Sequence, residues 1–265
     1  MDRGPAATYP SRMTATYPSR MTQTPGAVLQ PLDDAAFSRV LVVVAHPDDV
    51  EYGLSAAVSM WTMRGVEVAY LLLTAGEAGM QRAPEAAGPL RAREQRAACE
   101  VVGVERLTIL GFPDGTLEYG LDLRRAIARE IRTFRPDAVV CGAGQVFVEW
   151  GLDHADHRAA GLATIDAVRD ADNRWVFPGL AREEDLPPWG VSWLLLYATR
   201  PTHFLEVSPE AVDKAVASLS AHAAYLADLP WHPAPAEVIP GALAAQGEPA
   251  GVPHAVTFAA HRLRG

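Results

Sequence analysis

The stretch Arg39 to Ala45 (RVLVVVA) is apolar almost without interruption and ends at His46-Pro47-Asp48-Asp49-Val50-Glu51. A strand with no polar side is covered on both faces, which is the condition of a central strand in a parallel sheet. The chain is therefore expected to sandwich this strand between helices and to present the polar residues at its carboxyl end. Short β-branched runs alternate with longer amphipathic ones from there onward, the pattern of βαβ units. Strands are expected at Val66 to Leu73, Arg106 to Leu110, Ala138 to Cys141, Ser192 to Tyr197 and His203 to Val207. Helices are expected at Val50 to Arg64, Leu90 to Val102, Leu121 to Phe134, His157 to Val168 and Pro209 to Leu226. Gly65, Gly103 and Pro136 supply the stops. The class is α/β, a mostly parallel sheet with helices on both faces. From about residue 228 the chain is rich in Pro, Ala and Gly, and only Ala255 to Phe258 suggests a strand, so an irregular segment is expected there.

Residues 27–265 read as one domain, preceded at 1–26 by a tail that carries A-T-Y-P-S-R-M-T at 7–14 and again at 15–22. Two copies of so short and polar a unit cannot stack into a solenoid, so a disordered tail is expected. The 23 Lys and Arg against 32 Asp and Glu leave a net charge of −9, which argues against nucleic acid as a partner. The longest apolar runs, Val40 to Ala45 and Trp193 to Ala198, fall far short of the ~20 residues that cross a bilayer, so no membrane partner is expected. No apolar core follows the first arginines as in a secretory signal, and a cytoplasmic location is the expectation. Cys99 and Cys141 cannot form a disulfide framework or a C-x-x-C site and read as small buried hydrophobes. Homo-oligomerisation is left open.

Ligands of open parallel sheets bind outside the carboxyl ends of the strands. The turn after the first long strand has no G-x-G-x-x-G; it offers an imidazole and three carboxylates, which repel phosphate and attract a cation. An aspartate capping the next helix explains one of these acids but not the cluster. A second cluster, Asp153-His154-Ala155-Asp156-His157, follows the fourth long strand, with His154 and His157 spaced to share a helix face. Histidine and aspartate from one cluster plus histidine from the other make a two-nitrogen, one-oxygen set with open positions, the form of a catalytic zinc site. A cation there lowers the pKa of its water and polarises a carbonyl, so hydrolysis is the expected chemistry. Spacing alone does not say which of Asp48 and Asp49 holds the cation.

The run V-V-V-A-H-P-D-D-V-E-Y-G, the later H-A-D-H and the L-T-A-G-E-A-G between them resemble the LmbE-like deacetylases, relatives of N-acetylglucosaminyl-phosphatidylinositol de-N-acetylase. The resemblance covers about residues 38 to 226. It implies a Rossmann-like fold and removal of acetyl or related acyl groups from amino sugars by a zinc-bound water. It also implies His46, Asp49 and His157 as metal ligands, with Zn2+ expected and Fe2+ an alternative. Asp48 is then the general base, His154 the group that stabilises the oxyanion or protonates the amine, and Asp156 a residue that orients a histidine. Arg91, in an R-x-x-E with Glu94, and Asp114, in F-P-D-G, resemble substrate-binding positions. Glu77, after the second long strand, can line the same pocket. His203 resembles a family position without a role that can be derived. One departure stands out, because some sugar-deacetylating relatives carry tyrosine where this chain has Leu152.

The stretch Trp175 to Trp189 is expected to form a loop over the pocket, with Trp175 or Trp189 either packing or stacking on a sugar ring. The substrate expected is an N-acetylglucosaminyl small molecule. A larger amide, such as a thiol S-conjugate, keeps the same metal chemistry. Two histidines and a carboxylate also form the triad of iron(II) oxygenases, but those space the first pair as H-x-D/E rather than H-x-x-D. A non-catalytic metal-binding protein has less need of the extra carboxylate at Asp48.

Overall fold

A computed structural model describes residues 28–149 and 151–264, so the repeated segment lies outside the described residues. The chain runs β1 (Gln30–Pro31), β2 (Arg39–Val44), α1 (Asp49–Gly53), α2 (Ser55–Met63), β3 (Glu67–Leu72), α3 (Pro84–Val102), β4 (Arg106–Ile109), α4 (Leu121–Phe134) and β5 (Ala138–Gly142). It continues through the hairpin β6 (Phe147–Val148) and β7 (Gly151–Leu152), then α5 (Ala155–Asp172), α6 (Pro178–Arg182), β8 (Trp193–Tyr197) and β9 (His203–Glu206). Helices α7 (Pro209–Ser220), α8 (Ala223–Ala227) and α9 (Pro235–Gly247) precede the last strand, β10 (Ala255–Arg262).

Among the described residues one sheet has the order β1-β9-β10-β8-β5-β2-β3-β4. Parallel ladders join β2 to β3 and β5, β3 to β4, and β5 to β8. Strand β2 is central and dry on both sides. Val40, Val42 and Val44 enter one core with Val58, Trp61 and Leu219, while Leu41, Val43 and Ala45 enter the other with Ile127, Ile131 and Ala163. From β2 the chain first moves outward to β3 and β4, then crosses back to place β5 on the other side. That reversal opens a crevice at the carboxyl ends of β2 and β5, where the two polar clusters emerge. Helix α5 rests directly on this end of β5, since a Cβ at Gly161 would lie 2.5 Å from the Gly142 carbonyl oxygen.

Four expectations about individual elements need correction. The helix expected at Val50 to Arg64 is broken at Leu54 into α1 and α2, where buried Ser55 donates back to the Glu51 carbonyl, a bond that bends helices. Helix α3 begins at Pro84 rather than Leu90, because Pro84 occupies the first turn, where no donor is needed, and Pro89 removes only one interior backbone bond. The expected helix from Pro209 to Leu226 likewise divides into α7 and α8. The segment after 228 is not irregular: α9 buries Ile239 and Leu243 despite Pro240, and β10 fills the slot between β8 and β9, antiparallel to both. Its short Ala-rich sequence is a strand because two neighbours complete its ladder.

The stretch Trp175 to Trp189 lies at the opposite end of the sheet from the crevice. Trp189 donates its indole N–H to the Pro136 carbonyl, just before β5, and its backbone N–H to Ala171. Helix α5 starts at the crevice and, at eighteen residues, carries the chain to the amino ends of the strands, so the loop that follows cannot cover the pocket.

Candidate active site

The turn after β2 is held by its own acids. Asp49 Oδ2 accepts the backbone N–H groups of Ala45 and His46 at 3.0 and 2.9 Å, which turns Oδ1 toward His157 Nε2 at 3.1 Å. His157 comes from the first turn of α5, and its Nδ1 lies 2.7 Å from Asp153 Oδ1. His46 Nε2 lies 2.9 Å from Asp114 Oδ1 and 3.2 Å from Asp156 Oδ2. A carboxylate only accepts, and both nitrogens of each ring face one, so without a cation both rings are protonated; His157 Nε2 and His46 Nδ1, the nitrogens toward Asp49, are those that would exchange a proton for a cation. His46, Asp49 and His157 each offer a donor atom within 4.8 Å of the others. Two imidazoles, each backed by a carboxylate and turned toward a third, could hold a divalent cation. His46, His154 and Asp156 are also close enough. Asp156, however, is fully buried, and its oxygens already accept Gly115 N, Leu117 N and the His46 ring.

The electrostatics point the same way. Burial works against charge on both histidines, but Asp49, Asp114 and Asp156 push His46 up to about 12, and Asp49 and Asp153 push His157 up to about 9. Burial likewise opposes ionisation of Asp49, yet the two histidines hold it far below the usual carboxylate range. The cluster gathers more negative charge than its imidazoles balance, which favours a bound cation. Replacing Asp153 with asparagine keeps the shape and removes the charge behind His157. Cation affinity is expected to fall about 10–100-fold, read by calorimetric titration; an unchanged affinity would show that Asp153 does not tune the ligand.

Asp48 sits beside this set in a left-handed conformation, φ 85°, that non-glycine residues rarely adopt. Two side chains hold it. Its backbone N–H donates to Gln95 Oε1 at 2.9 Å, its Oδ1 accepts Arg91 Nη2 at 2.7 Å, and Arg91 also donates to the Pro47 and Gly76 carbonyls at 2.6 and 3.0 Å. Gly76, at φ +65°, leaves the room, since a Cβ there would lie 2.2 Å from Arg91 Nη1. Burial pushes the Asp48 carboxyl up to about 6, with Arg91 opposing.

Arg91 therefore does not line the open side as a substrate contact: it is 3% exposed, with its guanidinium 4.2 Å from the Tyr225 ring. Nor do Arg91 and Glu94 form a solvated pair, because Glu94 is buried and accepts the N–H groups of Ala224 and Tyr225. Asp114 reaches the cluster through His46 and is fixed by the Ala78 N–H at 2.7 Å. Glu77 stands one step back, accepting the Asp114 N–H at 3.0 Å. His154 caps α5: its Nδ1 accepts the Asp156 N–H at 3.2 Å, which puts its proton on Nε2, and half of its side chain is exposed. His203 lies elsewhere, beside Trp193 and bonded to Thr202.

Sequence reasoning passed over Asp153, Gln95 and Tyr225 as site residues. Asp153 stands four residues before His157 and Gln95 four after Arg91, spacings that share a helix face and could have exposed both. Tyr225 carried no such signal.

Residues 41–168 match the family model described as GlcNAc-PI de-N-acetylase, PIG-L. The diacetylchitobiose deacetylase of Thermococcus kodakarensis is 31% identical over 186 residues, 68% of this chain and 66% of that protein. A probable N-acetyl-alpha-D-glucosaminyl L-malate deacetylase 2 of Bacillus anthracis is 32% identical over 138 residues, 49% of this chain and 59% of that protein. The chain thus spans at most about two thirds of the length of these two relatives. A solved N,N'-diacetylchitobiose deacetylase from Pyrococcus horikoshii shares the fold with a TM-score of 0.77 at 20% identity, covering 86% of this chain and 85% of that one.

Proposed function

Because the chain belongs to the PIG-L (LmbE-like) family, we propose that it is a metal-dependent N-deacetylase that hydrolyses the acetamide of an N-acetylglucosaminyl small molecule. The observation that carries this reading is the convergence of His46, Asp49 and His157 within 4.8 Å, with the carboxylate of Asp48 fixed alongside. His46, Asp49 and His157 would hold the cation, Zn2+ by the chemistry of the donors, although Fe2+ accepts the same set. Once bound, it supplies a Lewis acid that polarises the acetamide carbonyl and acidifies water.

The chain's own groups do the rest. Asp48 takes a proton from the attacking water, and its raised pKa of about 6 suits a base working near neutrality. Arg91 holds the carboxylate in orientation without donating to the reacting atoms. His154, half exposed and with its proton on Nε2, can donate a hydrogen bond to the carbonyl oxygen where negative charge grows, and Asp48 passes the proton it took from the water to the departing amine. Asp156 keeps the His46 ring in place and ties it to the Gly115–Leu117 backbone.

The test is acetate release from a panel of N-acetylglucosaminides, with cation-loaded protein beside a chelated sample. Release that chelation abolishes and added cation restores is expected. Equal release from both samples would remove the cation from the reaction. No release from any sugar, together with turnover of a bulky cysteinyl amide, would transfer the reading to the larger amides.

A further inference from the structure

Beyond His154 the rim of the crevice is formed by the hairpin β6–β7, and one face of it is apolar and open. The two strands pair antiparallel with Phe147 opposite Leu152. Directly opposed residues of an antiparallel pair project to the same side, so the two side chains stand together. They are 74% and 69% exposed. Leu152 also lines a shallow cleft of about 470 Å³ with Asp153, His154, His157 and Arg158. Single exposed hydrophobic residues are ordinary. Among the described residues, two large ones paired on a hairpin of two-residue strands, continuous with the cleft of the candidate site, leave apolar area that a ligand or another surface would remove from water.

Asp48, Arg91 and Tyr225 pack together on the inner side of the site. With its acetamide at His46, Asp49 and His157, a substrate lying along the cleft places what the amino sugar carries over Leu152 and Phe147. Glu149 is exposed in the hairpin turn and Arg158 lines the rim, so charges of both signs flank this face and the paired apolar side chains are what distinguish it. Resting on the deacetylase reading, we infer that Phe147 and Leu152 form a subsite for an apolar aglycone, alkyl or aryl, attached to the amino sugar.

The test compares kcat/KM for methyl, octyl and anionic N-acetylglucosaminides with the cation-loaded full chain. Wild type is expected to favour octyl over methyl by about tenfold or more, and Phe147→Ser and Leu152→Ser each to cut that preference about tenfold, the scale of burying one such side chain. The ratio cancels any general loss of activity, and Leu152→Met, which keeps the apolar surface, should retain it. A wild-type ratio near one, a ratio retained in both serine variants, or a preference for the anionic compound overturns the inference. If light scattering shows a dimer that Phe147→Ser separates while the ratio holds, the face joins two copies of the chain and the inference falls. Should no glucosaminide release acetate, it is the deacetylase reading that fails. Calorimetric binding of octyl glucosaminide then judges the subsite alone: about tenfold weaker binding in Phe147→Ser supports it, and no binding or equal binding overturns it.

Discussion

Replacing Asp48 with asparagine is expected to lower kcat by about 10²–10⁴-fold, the range supplied by a positioned general base, while the protein keeps its cation. Asparagine is the informative choice for three reasons. It tolerates the left-handed backbone that Asp48 adopts at φ 85°. It still offers an oxygen to Arg91, which among the described residues otherwise donates to the Pro47 and Gly76 carbonyls. It cannot take a proton at neutral pH. Alanine would strain the turn and leave a buried guanidinium without its counter-charge, mixing loss of base with loss of structure. Steady-state rates beside metal analysis of the same sample decide the matter. Asparagine at this position with full activity would show that Asp48 supports the turn and that another group moves the proton.

His157→Ala is expected to abolish cation retention and, with it, acetate release. It is the cleanest ligand to remove, because Asp49 also anchors the Ala45 and His46 backbone and His46 is tied to both Asp114 and Asp156. The loss should exceed the 10–100-fold typical of an outer partner such as Asp153. Metal content after dialysis and calorimetric titration measure it; stoichiometric retention would take His157 out of the ligand set. The pH dependence has a definite sign. Without a cation, His46 and His157 hold protons up to about pH 12 and 9. Both must be released at neutral pH for the imidazoles to bind metal, so cation uptake liberates protons and apparent affinity falls as pH is lowered. Titrations in buffers of different ionisation enthalpy read this directly, and uptake without proton release would contradict it.

Much of this molecule can be read from the chain. Unbroken apolar character at 40–45 marked the central strand, because burial on both faces leaves no polar side. The two polar clusters could be placed together because consecutive parallel strands end on the same edge, so residues about 110 apart in sequence become neighbours at the switch point. Local pattern misled where helix length or distant partners decide. The helix expected from Leu90 in fact contains Pro89, and the segment expected to be irregular holds a helix containing Pro240; in both, the packed face outweighs one lost bond. The stretch Trp175 to Trp189 looked free to cover the pocket, whereas α5 delivers it to the far edge of the sheet.

The sequence by itself determined the fold class, the order of the central elements and the side chains available for cation chemistry, since periodicity and strand ends are local properties. What stands behind those side chains depends on contacts between distant parts of the chain. Arg91 turned inward to Asp48 because Gly76 leaves space and the Pro47 and Gly76 carbonyls need donors. Asp114 and Asp156 converged on His46 from elements 68 and 110 residues away. Residues 255–262 became a strand because β8 and β9 each left an edge to pair. In each case the deciding contact joins groups far apart along the chain, and the need to satisfy a buried charge or backbone donor appears only once packing has removed water from it.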